Sequence, residues 1–143
     1  MITVRHLLEG KDKGLWSVEP DDPVLEVIQL MADHHIGALP VIHGGELLGI
    51  VSERDYARKV ALLGRSTTET PVWQIMSSPV ITVTGDTTLN ECMQLVTDNR
   101  VRHLPVVEAG RVIGMISIGD LVKAVIDEQQ HKIEDLERYI RSG

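Results

Sequence analysis

The sequence predicts an α+β molecule made of two copies of one β-α-β-β-α unit, related by a pseudo-twofold axis and followed by an amphipathic C-terminal helix. Three observations lead there. Residues 15–60 and 80–125 align without a gap at an offset of 65, with identical pairs that include Val18/Val83, Gln29/Gln94, Leu39/Leu104, Pro40/Pro105, Gly49/Gly114, Ser52/Ser117 and Asp55/Asp120. A self-match at fixed offset is the mark of a repeat. Val24, Val27, Ile28 and Met31 fall at i, i+3, i+4 and i+7, one face of a helix, and Leu89, Cys92, Met93 and Val96 repeat that face. Val122, Ile126, Gln129, Ile133, Leu136 and Ile140 are spaced 4-3-4-3-4, a heptad seam on a charged helix.

In chain order, residues 4–8 form a short amphipathic segment and residues 9–14 a polar loop. Residues 15–18 read as a strand, and Asp22-Pro23 as a cap residue ahead of a proline at the first helical position. Residues 39–42 and 47–51 are strands joined by the turn His43-Gly44-Gly45-Glu46, and a helix carrying Tyr56 and Val60 starts at Ser52. The polar stretch 64–70 separates the halves, giving repeat 1 as 1–66, repeat 2 as 67–127 and the C-terminal helix as 128–143. Residues 72–76 answer 4–8 at an offset of 68, so the first copy carries three extra residues in its early loop. A unit of roughly 60 residues is marginal alone. Two such units bury their sheet faces together and leave clefts between equivalent edges, where small ligands bind.

The chain has 143 residues, no Phe, and 3% aromatics, so aliphatic side chains must fill the interior. A net charge of −7 argues against a general nucleic-acid binder, which needs clustered Lys and Arg. The single cysteine, Cys92, falls on an apolar helix face and reads as a buried thiol. No signal-like N-terminus or membrane-length apolar run is evident, and a cytoplasmic location is expected.

Ser52-x-x-Asp55 and Ser117-x-x-Asp120 open the last helix of each unit. Two readings fit. In one, serine accepts a bond from the third helical amide and the acid suits the positive end of the helix dipole. In the other, free amides and the serine hydroxyl receive a phosphate, and the carboxylate accepts from ribose hydroxyls. Gly49 and Gly114 would let a ligand come close to the strand.

The twice-given order of strand, amphipathic helix, Leu-Pro-Val and Gly-x-x-Ser-x-x-Asp, across residues 1–127, resembles a CBS-domain pair (a Bateman module) of the small stand-alone bacterial type. The resemblance implies a regulatory module that binds an adenosine ligand between the repeats: AMP, or ADP, ATP, NAD(H) or S-adenosylmethionine. It also implies a face-to-face homodimer and a regulated protein the sequence does not identify. Asp55 and Asp120 would hold ribose, with Ser52 and Ser117 near ribose or phosphate and Gly119 beside Asp120. The backbone and side chains around residues 15–18 and 80–83, Val18 and Val83 included, would face adenine, and Val41 and Val106 would line the pocket. Arg102 and His103 match positions that reach phosphate. Gly37 and Ala38 replace them in the first copy, which puts equal occupancy of the two sites in question. Arg54 and Arg58 are further phosphate candidates, Arg58 equally a solvated surface residue. Lys11 and Lys13 lie in the inserted loop, and Trp16 either packs or stacks on adenine. A dinucleotide spanning both clefts and a ligand-free adaptor working through its dimer surfaces remain as alternatives. His34, His35 and His43 lack metal-site spacing, there is no P-loop, and nothing assembles into a catalytic set, so an enzyme is not expected.

Overall fold

The structure is a computed structural model that describes residues 1–11 and 14–142. Helix α1 (Val4–Glu9) leads into the first repeat, which consists of α2 (Val24–His34), the antiparallel hairpin β1 (Ala38–His43) and β2 (Glu46–Ser52), and α3 (Glu53–Tyr56). α3 continues as a π-helical stretch, Ala57–Ala61. A single 3-10 turn, Val72–Gln74, leads into the second repeat, with α4 (Leu89–Asn99), β3 (His103–Glu108), β4 (Arg111–Ser117) and α5 (Ile118–Ser142). Both hairpins close on two residues with positive φ, Gly44 and Gly45 in one and Ala109 and Gly110 in the other. That backbone matches the right-handed twist of paired strands.

The first strand of each unit is shorter than the sequence predicts. From residues 15–18 only Val18 pairs, parallel to Val41, donating to the Pro40 carbonyl at 3.1 Å and accepting from the Ile42 N–H at 2.9 Å. Val83 repeats this on Pro105 and Val107 at 3.0 and 2.8 Å. The next rung of a parallel ladder would need an N–H on residue 40 or 105, and proline has none. The cap also differs. Pro23 is the N-cap of α2, and the Asp22 carboxylate accepts the Glu19 N–H at 2.8 Å instead.

Two cores form, one per repeat, and each borrows from the other half of the chain. Val4 is packed in the second core with Val83, Leu89, Leu104 and Ile116. Val72 and Ile75 are packed in the first with Val24, Val27, Leu39 and Val51. The hydrogen bonds repeat the exchange. Val4 N–H donates to the Thr87 carbonyl and Val72 N–H to that of Asp22; Leu89 N–H donates to Ile2 and Val24 N–H to Thr70. Val4 and Val72 are fully buried, and burying a side chain of this size contributes about 1.5–3 kcal/mol. Cys92 is buried as expected, and burial, with a smaller push from Glu91, raises its thiol to about 11. Trp73, within the 3-10 turn, is half-exposed.

α5 runs unbroken past residue 128. Leu121 and Ala124 face the second core, while Ile126, Ile133, Leu136 and Ile140 of the heptad seam are 50–68% exposed. Among the described residues, no helix is long and apolar enough to cross a membrane.

Gly49 and Gly114 admit the exchanged segments. A Cβ on Gly49 would lie 2.7 Å from Met76 Sδ and 3.0 Å from the Ser77 carbonyl; on Gly114 it would lie 2.6 Å from Leu8 Cδ2. Leu8 can swing its terminus aside, whereas the Ser77 backbone is fixed by reciprocal bonds to Ile50 at 2.8 and 3.0 Å. Gly49→Ala is therefore expected to cost about 1–3 kcal/mol, and more than Gly114→Ala. Urea unfolding of both variants checks this, and equal midpoints would contradict it.

Candidate functional site

Two clefts open where the repeats meet, and each takes its parts from both. The first, of about 390 Å³, sets Ser117 and Asp120 of repeat 2 against Leu15, Trp16 and residues 35–38 of repeat 1, with Lys11 on its wall. The second, of about 460 Å³, sets Ser52, Arg54 and Asp55 against Val80, Ile81 and residues 100–103. Gly37 and His103 line both. Each acid thus faces the loop and strand edge of the opposite repeat.

Both Ser-x-x-Asp boxes cap their helices. Ser52 Oγ accepts the Asp55 N–H at 3.2 Å while Asp55 Oδ2 accepts the Ser52 N–H at 2.9 Å. Ser117 and Asp120 repeat the pair at 3.1 and 2.8 Å. The carboxylates differ beyond that. Asp55 Oδ2 also accepts from Ser52 Oγ, and its Oδ1 takes Ser77 Oγ at 3.2 Å and Lys59 Nζ at 3.1 Å. Asp55 is buried with both oxygens engaged. Asp120 uses Oδ2 for the Ser117 N–H and for Lys11 Nζ at 2.8 Å. Its Oδ1 has no hydrogen-bond partner among the described residues.

Lys11 and Ser77 are counterparts. Ser77 bonds to the Ile50 backbone and to Asp55; Lys11 Nζ bonds to the Met115 carbonyl at 2.6 Å and to Asp120. Met115 is the repeat partner of Ile50. A side chain from the inserted loop does in one half what a hydroxyl and backbone do in the other.

The remaining expected residues are distributed unevenly. Val18, Val41, Val83 and Val106 are packed in the two cores and not on the cleft walls. Val18 and Val83 turn their side chains into the cores, and the apolar walls come from Leu15, Trp16, Val80 and Ile81 of the same two segments. Trp16 lines the Asp120 cleft with its ring stacked on His34, centroids 3.7 Å apart. Arg54, Arg102 and His103 line the Asp55 cleft. Gly119 and Arg58 are exposed and line neither cleft, and Lys13 lies outside the described residues. Arg100, Ser77 and Lys59 were not singled out from the sequence. The repeat carried a signal for Arg100, which aligns with His35; both end their helices in the left-handed conformation, φ 53° and 52°, and both line a cleft.

Burial, with the charges of Arg102 and Lys11, pushes the His103 imidazole down to about 4, against a smaller opposing pull from Asp120. Burial acts to raise the Asp120 carboxyl, but the Lys11 ammonium and the Ser117 bonds outweigh it and hold the group below its ordinary value. At neutral pH His103 is uncharged in both the folded and unfolded chain. Between about pH 6.5 and 4 the unfolded chain takes up this proton and the folded chain does not, so stability falls as pH drops across that window. The Asp120 contribution is present above the ordinary carboxylate value and is lost only at lower pH. His103→Gln should flatten the stability profile between pH 6.5 and 4, by roughly 3 kcal/mol at most. Parallel profiles for variant and parent in pH-resolved urea unfolding would contradict this.

The CBS domain family profile matches twice, over residues 11–62 and 72–127. The mitochondrial CBS domain-containing protein CBSX3 of Arabidopsis thaliana is 42% identical over 99% of this chain and 73% of its own length. A candidate signal-transduction protein with CBS domains from Burkholderia ambifaria MC40-6, of solved structure, is 48% identical with a TM-score of 0.84, over 89% of this chain and 96% of that one. A CBS-domain protein from Agrobacterium tumefaciens is 37% identical with a TM-score of 0.79, over 85% and 92%. With two matched copies, exchanged lead-in segments and a cleft at each helix start, the chain belongs to the CBS domain family as a tandem pair.

Proposed function

We propose that this protein is a non-enzymatic regulatory module that binds an adenine nucleotide, AMP in the first instance, between its repeats. The observation that carries this reading is the composition of the Asp120 cleft. Its acid keeps one carboxylate oxygen clear of described partners, Ser117 and the start of α5 stand beside it, and Leu15, Trp16 and Ile36 face it from the other repeat. Ribose hydroxyls donate to the acid, the adenine ring lies along the apolar wall, and phosphate meets Ser117 and Lys11. The ligand regulates only if it binds two arrangements of the repeats with different affinity. The signal-transduction description of the Burkholderia relative supports a regulatory role. The capping bonds of both acids favour a second reading, an adaptor that binds no ligand. The walls shared at Gly37 and His103 are what a dinucleotide such as NAD(H), the alternative to AMP, would cross in reaching from one cleft to the other. A cytoplasmic setting is part of the proposal, although the Arabidopsis relative is mitochondrial.

Assembly is the second part of the proposal. The seam of Ile126, Ile133, Leu136 and Ile140 stands clear of the protein's own core. It is bordered by the i,i+4 pairs Glu128–Lys132 and Glu137–Arg141, the arrangement of a helix that packs on a second copy of itself. The regulated protein would then meet a homodimer.

Two measurements test these readings. Asp120→Ala should weaken AMP binding about 10- to 100-fold, the effect of losing hydrogen bonds to a charged group, while circular dichroism shows the fold retained. Unchanged affinity by calorimetry, or no AMP binding by the parent, would favour the adaptor. Leu136→Asp should convert dimer to monomer in native mass spectrometry; a monomeric parent would remove the dimer proposal.

A further inference from the structure

We infer that the exposed seam of α5 takes the same helix of a second copy, parallel and in register, an arrangement that rests on the homodimer reading and gives it a direction. In heptad terms Ile126, Ile133 and Ile140 hold the a positions, and Val122, Gln129 and Leu136 hold the d positions. β-branched residues at a with leucine at d favour two parallel strands. The apolar members of the seam are 46–68% exposed. They continue the helix that packs Leu121 and Ala124 into the second core, so the seam leaves the body on an anchored base.

Gln129 decides the direction. Its amide both donates and accepts, so two copies of it facing across a parallel pair hydrogen-bond to each other. With the same overlap run antiparallel, a positions face d positions: Ile126 meets Leu136, and Gln129 meets Ile133. The amide is then buried against an isoleucine and carries the penalty of an unpaired polar group. Sliding a parallel pair by one heptad has the same fault, because Gln129 then meets Leu136 or Val122. The flanking charges agree. Lys132 at g meets Glu137 at e of the second copy, twice per dimer, while Val125 and Gln130 fill the preceding g and e positions, so no like charges oppose. In the antiparallel pair Lys123 meets Glu137, but Lys132 faces its own mate. Within one chain Lys132 lies 3.3 Å from Glu128 and Glu137 lies 3.8 Å from Arg141. These are exposed i,i+4 contacts, weak enough to be exchanged or shared. Parallel tails put both bodies at one end of the assembly. Each α5 begins beside an Asp120 cleft, so a partner protein meets both of those clefts together.

Single cysteines in the full chain read the direction. Native Cys92 is buried, and the parent serves as the blank. With diamide as oxidant, two thiols from neighbouring chains give up two electrons and two protons to the reagent and join as a disulfide. Ile126→Cys and Leu136→Cys should each link to itself. A mixture of the two should give no mixed disulfide by mass spectrometry, since ten residues of helix hold those positions about 15 Å apart in a parallel pair. Mixed disulfides without self-linked product mark the antiparallel pair and overturn the direction while the dimer stands. No disulfide at all from chains that native mass spectrometry shows to be dimeric overturns it too, and a monomeric parent overturns both readings. Lys132→Glu should weaken the dimer about tenfold, and adding Glu137→Lys should restore it. Failure of that rescue overturns the charge pairing on which the register is argued. All four positions are exposed, so the variants fold; unchanged circular dichroism confirms it.

Discussion

The reciprocal exchange of lead-in segments is the constraint from which the rest follows. Val4 completes the core of the second repeat and Val72 that of the first, each held by matching backbone bonds at the head of the opposite α-helix. Two units of marginal size become one body, because neither core is complete until the other half of the chain has arrived. The exchange also brings Lys11 and Ser77 to the two acids. Residues 8 and 76 settle over glycine on β4 and β2, and the next few residues then lie within reach of Asp120 and Asp55. The clefts are consequences of this packing.

Much of the fold was legible because its signals are local or repeated. The helical faces, the hairpins with their two-residue turns and the serine boxes all read directly from spacing, twice over. What failed to read was set across space. The strands at residues 15–18 and 80–83 shrink to one residue because a proline on the neighbouring strand cannot donate. The exchange itself is invisible in a symmetric sequence, since a lead-in matches the core of its own repeat as well as that of its twin. The same blindness misplaced Val18, Val41, Val83 and Val106. Their identity across repeats marks a shared environment, and the structure makes that environment the core, with the cleft walls drawn from less similar neighbours such as Trp16 and Ile81.

The serine boxes show why choosing between a cap and a ligand site was never fully a choice. A carboxylate has two oxygens, and capping uses one. In Asp120 the cap and Lys11 share Oδ2, so a second function remains possible on Oδ1. In Asp55 the equivalent oxygen is taken by Ser77 and Lys59. Identical motifs have thus been left with different free valence by their surroundings, which no comparison of the two motifs could reveal.

This difference has a structural origin in how the clefts are shared. Each takes its acid from one repeat and its lining loop from the other, so a substitution in a single repeat changes the cleft of its twin's acid. Ala38 lines the Asp120 cleft and Arg102 the Asp55 cleft, while Gly37 and His103 stand on the wall common to both. There a Cβ on Gly37 would make ordinary contact with the His103 ring at 3.4 Å and with Glu53 at 3.6 Å. Each side chain at that wall therefore bears on two clefts at once. The repeat pairs that differ there, Gly37 with Arg102 and Ala38 with His103, make the two sites inequivalent although the serine boxes that open their helices are the same.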